Sequence, residues 1–192
     1  MKTMENLKER IRASLSVRER RTISDDDLTL AAILLPLFRR ENEYHVLLTK
    51  RTEKVKTHKG EISFPGGVCD QQDRTLKETA LRESCEEIGL REKDVQILGC
   101  LDDVQTLTNY MIRPFVGIFP YPYSFVVNRE EIEEIIELPL QPFLQEDRFR
   151  RKTVSSQGGE RTVYSCRYGE HLIWGATAAI LKQFLDLILE SR

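Results

Sequence analysis

The segment from Thr75 to Gly89 marks both of its own ends and leaves the chain between them little choice but a helix. Thr75 followed three residues later by Glu78 is a capping box, in which each side chain satisfies an amide that a helix start leaves open. Gly89 stands where the chain can leave the helix through a left-handed residue. Leu81, Cys85 and Ile88 fall on one face and are expected to pack inward. Glu83, Glu86 and Glu87 are spaced by three and four positions, so their carboxylates are expected to project from one side. Like charges at that spacing cost a helix a few tenths of a kcal/mol per pair, so a cation is expected to compensate them. Hard oxygen donors without histidine or cysteine suit Mg²⁺ or Mn²⁺ rather than zinc. Spacing alone is also explained by a solvated acidic face, with Arg82 neutralising Glu83.

The residues before this helix favour the metal. Gly66-Gly67 supplies a backbone that can turn sharply and approach a ligand closely. Lys50, Arg51, Lys54, Lys56, His58 and Lys59 form a dense cationic stretch just upstream. Cations and a glycine turn beside clustered carboxylates suit a diphosphate, whose oxygens the cations would hold while a metal polarises phosphorus and activates water. Of the cations, Arg51 and Lys59 are the stronger candidates, and a solubilising loop accounts for Lys54 and Lys56.

The rest of the chain reads as one α/β domain. Leu7, Ile11 and Leu15 predict an amphipathic helix over 4–16. A polar joint follows, in which the runs Arg18 to Arg21 and Asp25 to Asp27 read as solvated linker. Strands are expected at 28–38 and 43–50 around a turn at Glu41-Asn42, with a short one from Ile62 to Phe64. Further strands are expected at 95–103 and 111–119, and helical spacing at 130–137. Gly158-Gly159 suggests a hairpin joining 150–155 to 160–168, and a closing helix is expected over 175–190. The division is thus 1–27, helix and joint, and 28–192, the domain.

Composition removes several classes of function. At 192 residues, with 40% hydrophobic and 31% charged, the chain is neither disordered nor a membrane bundle. A net charge of -2 argues against coating nucleic acid or an anionic membrane. The cysteines at 69, 85, 100 and 166 lack zinc-ligand spacing and read as free thiols in a reducing compartment. With no export segment, a cytoplasmic protein is expected. The sequence sets no oligomeric state, and a homodimer stays open.

With these residues assembled, the sequence resembles the Nudix hydrolases, whose signature is G-x5-E-x7-R-E-U-x-E-E-x-G-U with U aliphatic. Arg82-Glu83-Ser84-Cys85-Glu86-Glu87-Ile88-Gly89-Leu90 matches the second half except at Ser84. In the first half, counted from Gly67, the acid is the shorter Asp73, and the gap to Arg82 is one residue longer than the pattern. Upstream, Leu47 to Arg51, His58-Lys59-Gly60-Glu61 and Phe64-Pro65-Gly66-Gly67 are similar to the coenzyme A diphosphatase branch. The longer box, Glu131 to Glu134 leading to Pro139-Leu140, and Ile173 to Ala178 extend the likeness over most of 28–190.

The resemblance implies a single-domain α/β/α sandwich with a mixed sheet and a loop-helix-loop catalytic box. It further implies Mg²⁺- or Mn²⁺-dependent hydrolysis of coenzyme A to 3′,5′-ADP and 4′-phosphopantetheine. Carried over by position, Glu83, Glu86 and Glu87 would bind metal, and Glu83 or Glu87 would deprotonate or orient water. Arg82 would steady the carboxylates, Gly66 and Gly67 would shape the loop, and Arg51 and Lys59 would contact phosphate. Glu131 or Glu134 would add a metal ligand from outside the box. Two alternatives remain at this point: a Nudix hydrolase of ADP-ribose, dinucleoside polyphosphates or damaged nucleoside triphosphates, and a non-catalytic nucleotide-binding module. The intact glutamates count against the second.

Overall fold

The apolar run after residue 28 becomes the spine of the molecule. In a computed structural model that describes residues 6–55, 57–145, 148–156 and 159–190, the chain forms α1 (Leu7–Val17), β1 (Thr29–Arg40), β2 (Glu43–Arg51), β3 (Ile62–Ser63) and β4 (Gly66–Val68). There follow α2 (Leu76–Ile88), β5 (Gln96–Cys100), β6 (Val104–Gln105), β7 (Tyr110–Ile118) and β8 (Ile132–Pro139). The chain closes with β9 (Arg150–Ser156), β10 (Gly159–Tyr168), β11 (His171–Trp174) and α3 (Gly175–Glu190). Residues 157 and 158, in the expected turn between β9 and β10, lie outside the described residues.

β1 is central because both its faces are apolar. Its order in the main sheet is β3-β2-β1-β7-β5, with β4 on β1, β6 on β7 and β8 on β2. β1 and β7 run parallel, with Leu34 opposite Phe115, and the other pairs are antiparallel, so the sheet is mixed. Alternation along β1 sends Ile33, Leu35 and Leu37 into a core with Leu7, Ile11 and Leu15 of α1 and Leu181, Phe184 and Ile188 of α3. Ala32, Leu34 and Phe38 enter a second core with Ala80 and Ile88 of α2. A period of two along one strand thus seats helices on both faces, which is the expected α/β/α sandwich in one domain. β9, β10 and β11 form a separate antiparallel sheet, and no helix among the described residues is long and apolar enough to cross a membrane.

Three expectations need correction. Residues 130–137 do not form a helix: β8 pairs antiparallel with β2, from His45 opposite Pro139 to Thr49 opposite Ile135. In sequence Ile132, Ile135 and Ile136 fit a helical period, but the buried positions Ile132, Ile136 and Leu138 follow a period of two, and the edge of β2 decides between them. The basic run is not solvated linker, because Arg18 and Arg21 pair with Asp102, and Arg20 pairs with Asp103. On α2 Leu81 and Ile88 are buried as expected, but Cys85 is exposed and Ser84 is enclosed in its place. The Ser84 hydroxyl is satisfied inside the helix, donating to the Ala80 carbonyl at 2.6 Å.

Candidate active site

Helix α2 starts and stops as its sequence directs, which sets its carboxylates at a defined height over the sheet. The Thr75 hydroxyl accepts from the Glu78 amide at 3.2 Å, and the Glu78 carboxylate accepts from the Arg74 amide at 2.7 Å. At the other end Gly89 adopts a left-handed φ of 71°, and its amide reaches the Cys85 carbonyl. α2 packs over β1 and β4, and its three glutamates meet the solvent to very different degrees. The Glu86 side chain is 58% exposed, that of Glu83 20% and that of Glu87 4%.

The glycine pair lets this happen. A Cβ on Gly67 would stand 2.5 Å from the Glu83 carboxyl carbon, so only glycine admits that carboxylate. A Cβ on Gly66 would collide with the Ala32 carbonyl and Ile33 of β1. The Gly66 amide donates to Glu87 Oε2 at 3.3 Å. Gly66 and Gly67 do not form the expected turn but open strand β4, paired with Ile33 and Ala32 of β1, and Glu83 and Glu87 lie against them, with Glu86 outside.

Two arginines attend the carboxylates in different ways. Arg82 clasps Asp73 with both sides of its fork, Nε at 3.0 Å and Nη2 at 2.9 Å, while its Nη1 reaches Glu83 at 2.8 Å and Glu86 at 3.2 Å. Asp73 also accepts from the Thr79 hydroxyl and the Asp70 amide, each at 2.9 Å. Its pKa is held far below the usual carboxylate range, first by the Arg82 hydrogen bonds, and that of Arg82 is raised in turn. The shorter acid and the extra residue thus still deliver a carboxylate to Arg82, through a turn that Asp70 and Asp73 build.

Arg51, at the end of β2, reaches the buried side of the cluster. Its Nη1 lies 3.3 Å from Glu87 Oε1 and its Nη2 3.5 Å from Glu131 Oε2, while its Nε is buried without a hydrogen-bond partner. The pairing of β2 with β8 shifts register here, from Lys50 opposite Glu134 to Arg51 opposite Ile132, which skips Glu133. A bulge of this kind re-aims side chains, and it leaves Glu131 facing Arg51. Glu134 goes elsewhere, to His171 of β11 at 3.5 Å. Lys59 is exposed in the turn before β3 and makes no ion pair among the described residues.

Burial dominates the electrostatics. It pushes the Glu87 pKa up to about 8, against the opposing pull of Arg51 and the Gly66 amide. Burial also raises Glu83, although Arg82 works the other way. Among the described residues no three acidic, histidine or cysteine side chains stand together as a ready metal cage; Arg82 holds Glu83 and Glu86, and Arg51 holds Glu87 and Glu131. The donor chemistry nonetheless fits a hard dication. The candidate donor groups are all carboxylates, and burial outweighs the positive charge that Arg51 brings to the most buried of them.

The sequence and the fold both have known counterparts. A NUDIX domain model matches residues 27–151. An uncharacterized Nudix hydrolase NudL from Photorhabdus laumondii is 38% identical over 158 residues, covering 82% of this chain and 84% of that protein. A NudL of the same description from Yersinia enterocolitica is 37% identical over 158 residues, covering 82% and 80%. Among solved structures, a MutT/nudix family protein from Enterococcus faecalis superposes with a TM-score of 0.57 at 14% identity, covering 96% of this chain and 73% of that one. That last likeness establishes the fold.

Proposed function

We propose, for a chain that belongs to the NUDIX domain family and is a Nudix hydrolase of pyrophosphate-containing substrates, that the bond it cleaves is the diphosphate of coenzyme A or a derivative. Water adds across the P–O–P link, one bridging P–O bond breaks, and the products are 3′,5′-ADP and 4′-phosphopantetheine. The observation that carries the hydrolytic reading is the placing of Glu83 and Glu87 against Gly66 and Gly67 of β4, with Glu86 at the rim. The coenzyme A reading rests on the segments Leu47 to Arg51, His58 to Glu61 and Phe64 to Gly67, which resemble that branch.

Glu83, Glu86 and Glu87 would hold Mg²⁺ or Mn²⁺, with Glu131 as a ligand from outside the helix; Glu134, turned to His171, is the weaker candidate. When bound, such an ion polarises the phosphoryl group and lowers the pKa of water. The chain's own residues do the rest. Glu83 or Glu87 accepts the proton of the attacking water. Arg82, anchored on Asp73, keeps Glu83 and Glu86 from turning away. Gly66 and Gly67 give the substrate close access to the carboxylates, and Arg51 and Lys59 are the cations available to phosphate oxygens. The substrate is a small molecule, and the protein is expected to work in the cytoplasm, with a homodimer open to test.

The test is mass spectrometry of products after incubation with Mg²⁺ and an equimolar mixture of coenzyme A, ADP-ribose, diadenosine polyphosphate and nucleoside triphosphates. Selective release of 3′,5′-ADP with phosphopantetheine supports the proposal. Cleavage of another member with coenzyme A intact keeps the hydrolase and removes the substrate. No cleavage with either Mg²⁺ or Mn²⁺ points to a binding module.

A further inference from the structure

We propose that Arg51 is the resident counter-cation of Glu87 and Glu131, and that entry of the divalent ion releases it to hold a substrate phosphate. The inference rests on the hydrolase reading above and adds an exchange of cations at the same carboxylates. Its basis is the contrast between Arg51 and the arginines that serve structure. Arg82 grips Asp73 through Nε and Nη2 at 3.0 and 2.9 Å, and Arg113 grips Asp103 through the same two atoms, both at 2.9 Å. That parallel fork is the strong form of the arginine–carboxylate bond. Arg51 makes neither grip. It touches two different carboxylates singly, at 3.3 and 3.5 Å, and its Nε is the one side-chain nitrogen or oxygen among the described residues that is buried with no partner.

Such a site is occupied but not completed. One guanidinium charge stands between Glu87 and Glu131, with Glu83 also close enough to Glu87 to act on its charge. A divalent ion answers that excess of negative charge better than a single positive charge does, and it cannot share the same oxygens with Arg51 without repulsion. Arg51 lies at the last position of β2, where the register with β8 shifts. Once released from Glu87 and Glu131, the side chain would turn to bring its Nε and Nη groups to the solvent side of the cluster. There a diphosphate offers the paired oxygens that suit a guanidinium fork. The exchange also couples the two ligands: the metal makes the phosphate-binding arginine available, so the substrate meets its cation when the metal is in place.

The test reads metal binding rather than turnover. Mn²⁺ affinity is measured by electron paramagnetic resonance on wild type, Arg51→Gln and Arg51→Lys. Arg51→Gln is expected to bind Mn²⁺ about tenfold tighter, because the competing charge is gone. Arg51→Lys keeps the charge and is expected to stay near wild type. Affinity of Arg51→Gln equal to or below wild type overturns the exchange and leaves the hydrolase standing, whereas a wild type that binds no Mn²⁺ at millimolar concentration overturns the hydrolase reading itself. A second measurement needs no variant. Phenylglyoxal labelling of Arg51, read by peptide mass spectrometry, is expected to rise when Mg²⁺ is added and to fall again when inorganic pyrophosphate follows. Labelling that Mg²⁺ leaves unchanged or lowers contradicts the release.

Discussion

Asp103 and Glu87 are both buried carboxylates next to arginine, and the fold treats them in opposite ways. Asp103 accepts from Arg20 Nη1 at 2.7 Å, from Arg113 Nε and Nη2 at 2.9 Å each and from the Ile23 amide at 3.1 Å. Burial works against its charge and is the largest influence, yet these bonds and the two guanidinium charges outweigh it, so its pKa lies below the ordinary value. Among the described residues the Glu87 carboxylate has two hydrogen bonds, both 3.3 Å, and burial wins. The first site is finished by the chain itself and ties residues 20–23 to the segment between β5 and β6. The second is left short of bonds by the chain itself. A buried carboxylate with its bonds complete is a structural fastener; one left incomplete against the glycines of β4 is where chemistry can happen.

This contrast can be broken most severely through activity. Glu86→Gln is expected to lower turnover roughly 10²–10³-fold with the fold intact, since the proposed metal ligand loses its charge and metal assistance is worth several kcal/mol. Steady-state rates at limiting Mg²⁺ check this, and normal turnover there removes Glu86 from the metal site. Asp103→Asn should do the reverse, costing about 3 kcal/mol of stability by leaving Arg20 and Arg113 unmatched while kcat stays within a small factor of wild type. Urea unfolding and kinetics on the same sample read both.

Metal sharpens the comparison further. At a hundredfold excess over its dissociation constant, Mg²⁺ should stabilise the wild type by about 2.7 kcal/mol, raising Tm by roughly 5–10 °C. Calorimetry should find the same shift in Asp103→Asn and a smaller one in Glu86→Gln; equal shifts in all three would place the bound metal elsewhere.

The smallest effects lie in pH, and their signs differ between the two sites. Asp103 is lowered in the folded state, so its stabilisation is present above about pH 4, the unfolded value, and is lost as pH falls through the folded one. Glu87 is raised to about 8, so in metal-free protein its neutral form is fully favourable below about pH 4.3 and that contribution is lost as pH rises through 8. Asp103→Asn should therefore flatten the acid side of the stability profile, and Glu87→Gln the alkaline side in the presence of chelator. Equilibrium unfolding between pH 3 and 9 checks both slopes.

Much of the site was legible because it is local. The capping box, the stop at Gly89 and the glutamates of α2 all lie within one helix and its caps, where spacing dictates geometry. The strands β1 and β2 were legible because their apolar runs admit no other home. What stayed hidden depends on partners far along the chain. The run Arg18 to Arg21 reads as solvent-facing until Asp102 and Asp103, over eighty residues on, are seen to receive it. Residues 130–137 carry a pattern that fits two periods, and only the edge of β2 selects the strand. The phase of α2 was misjudged at Cys85 because a glutamate is normally counted out of the core, whereas here Glu87 is carried in with Ala80 and Ser84. Glu131 and Glu134 are equivalent in sequence, and a bulge separates them. Lys59 shares a basic stretch with Arg51, but β2 ends at Arg51, which turns to Glu87 and Glu131, while Lys59 is exposed in the following turn.

The most direct measurement is turnover and metal-free Tm of Glu87→Gln, taken on the same preparation with the best wild-type substrate. Turnover is expected to collapse by at least about a hundredfold while Tm at pH 8 in chelator stays at or above that of wild type. Near-normal turnover with a Tm lowered as far as that of Asp103→Asn would contradict it, because Glu87 would then be a fastener like Asp103.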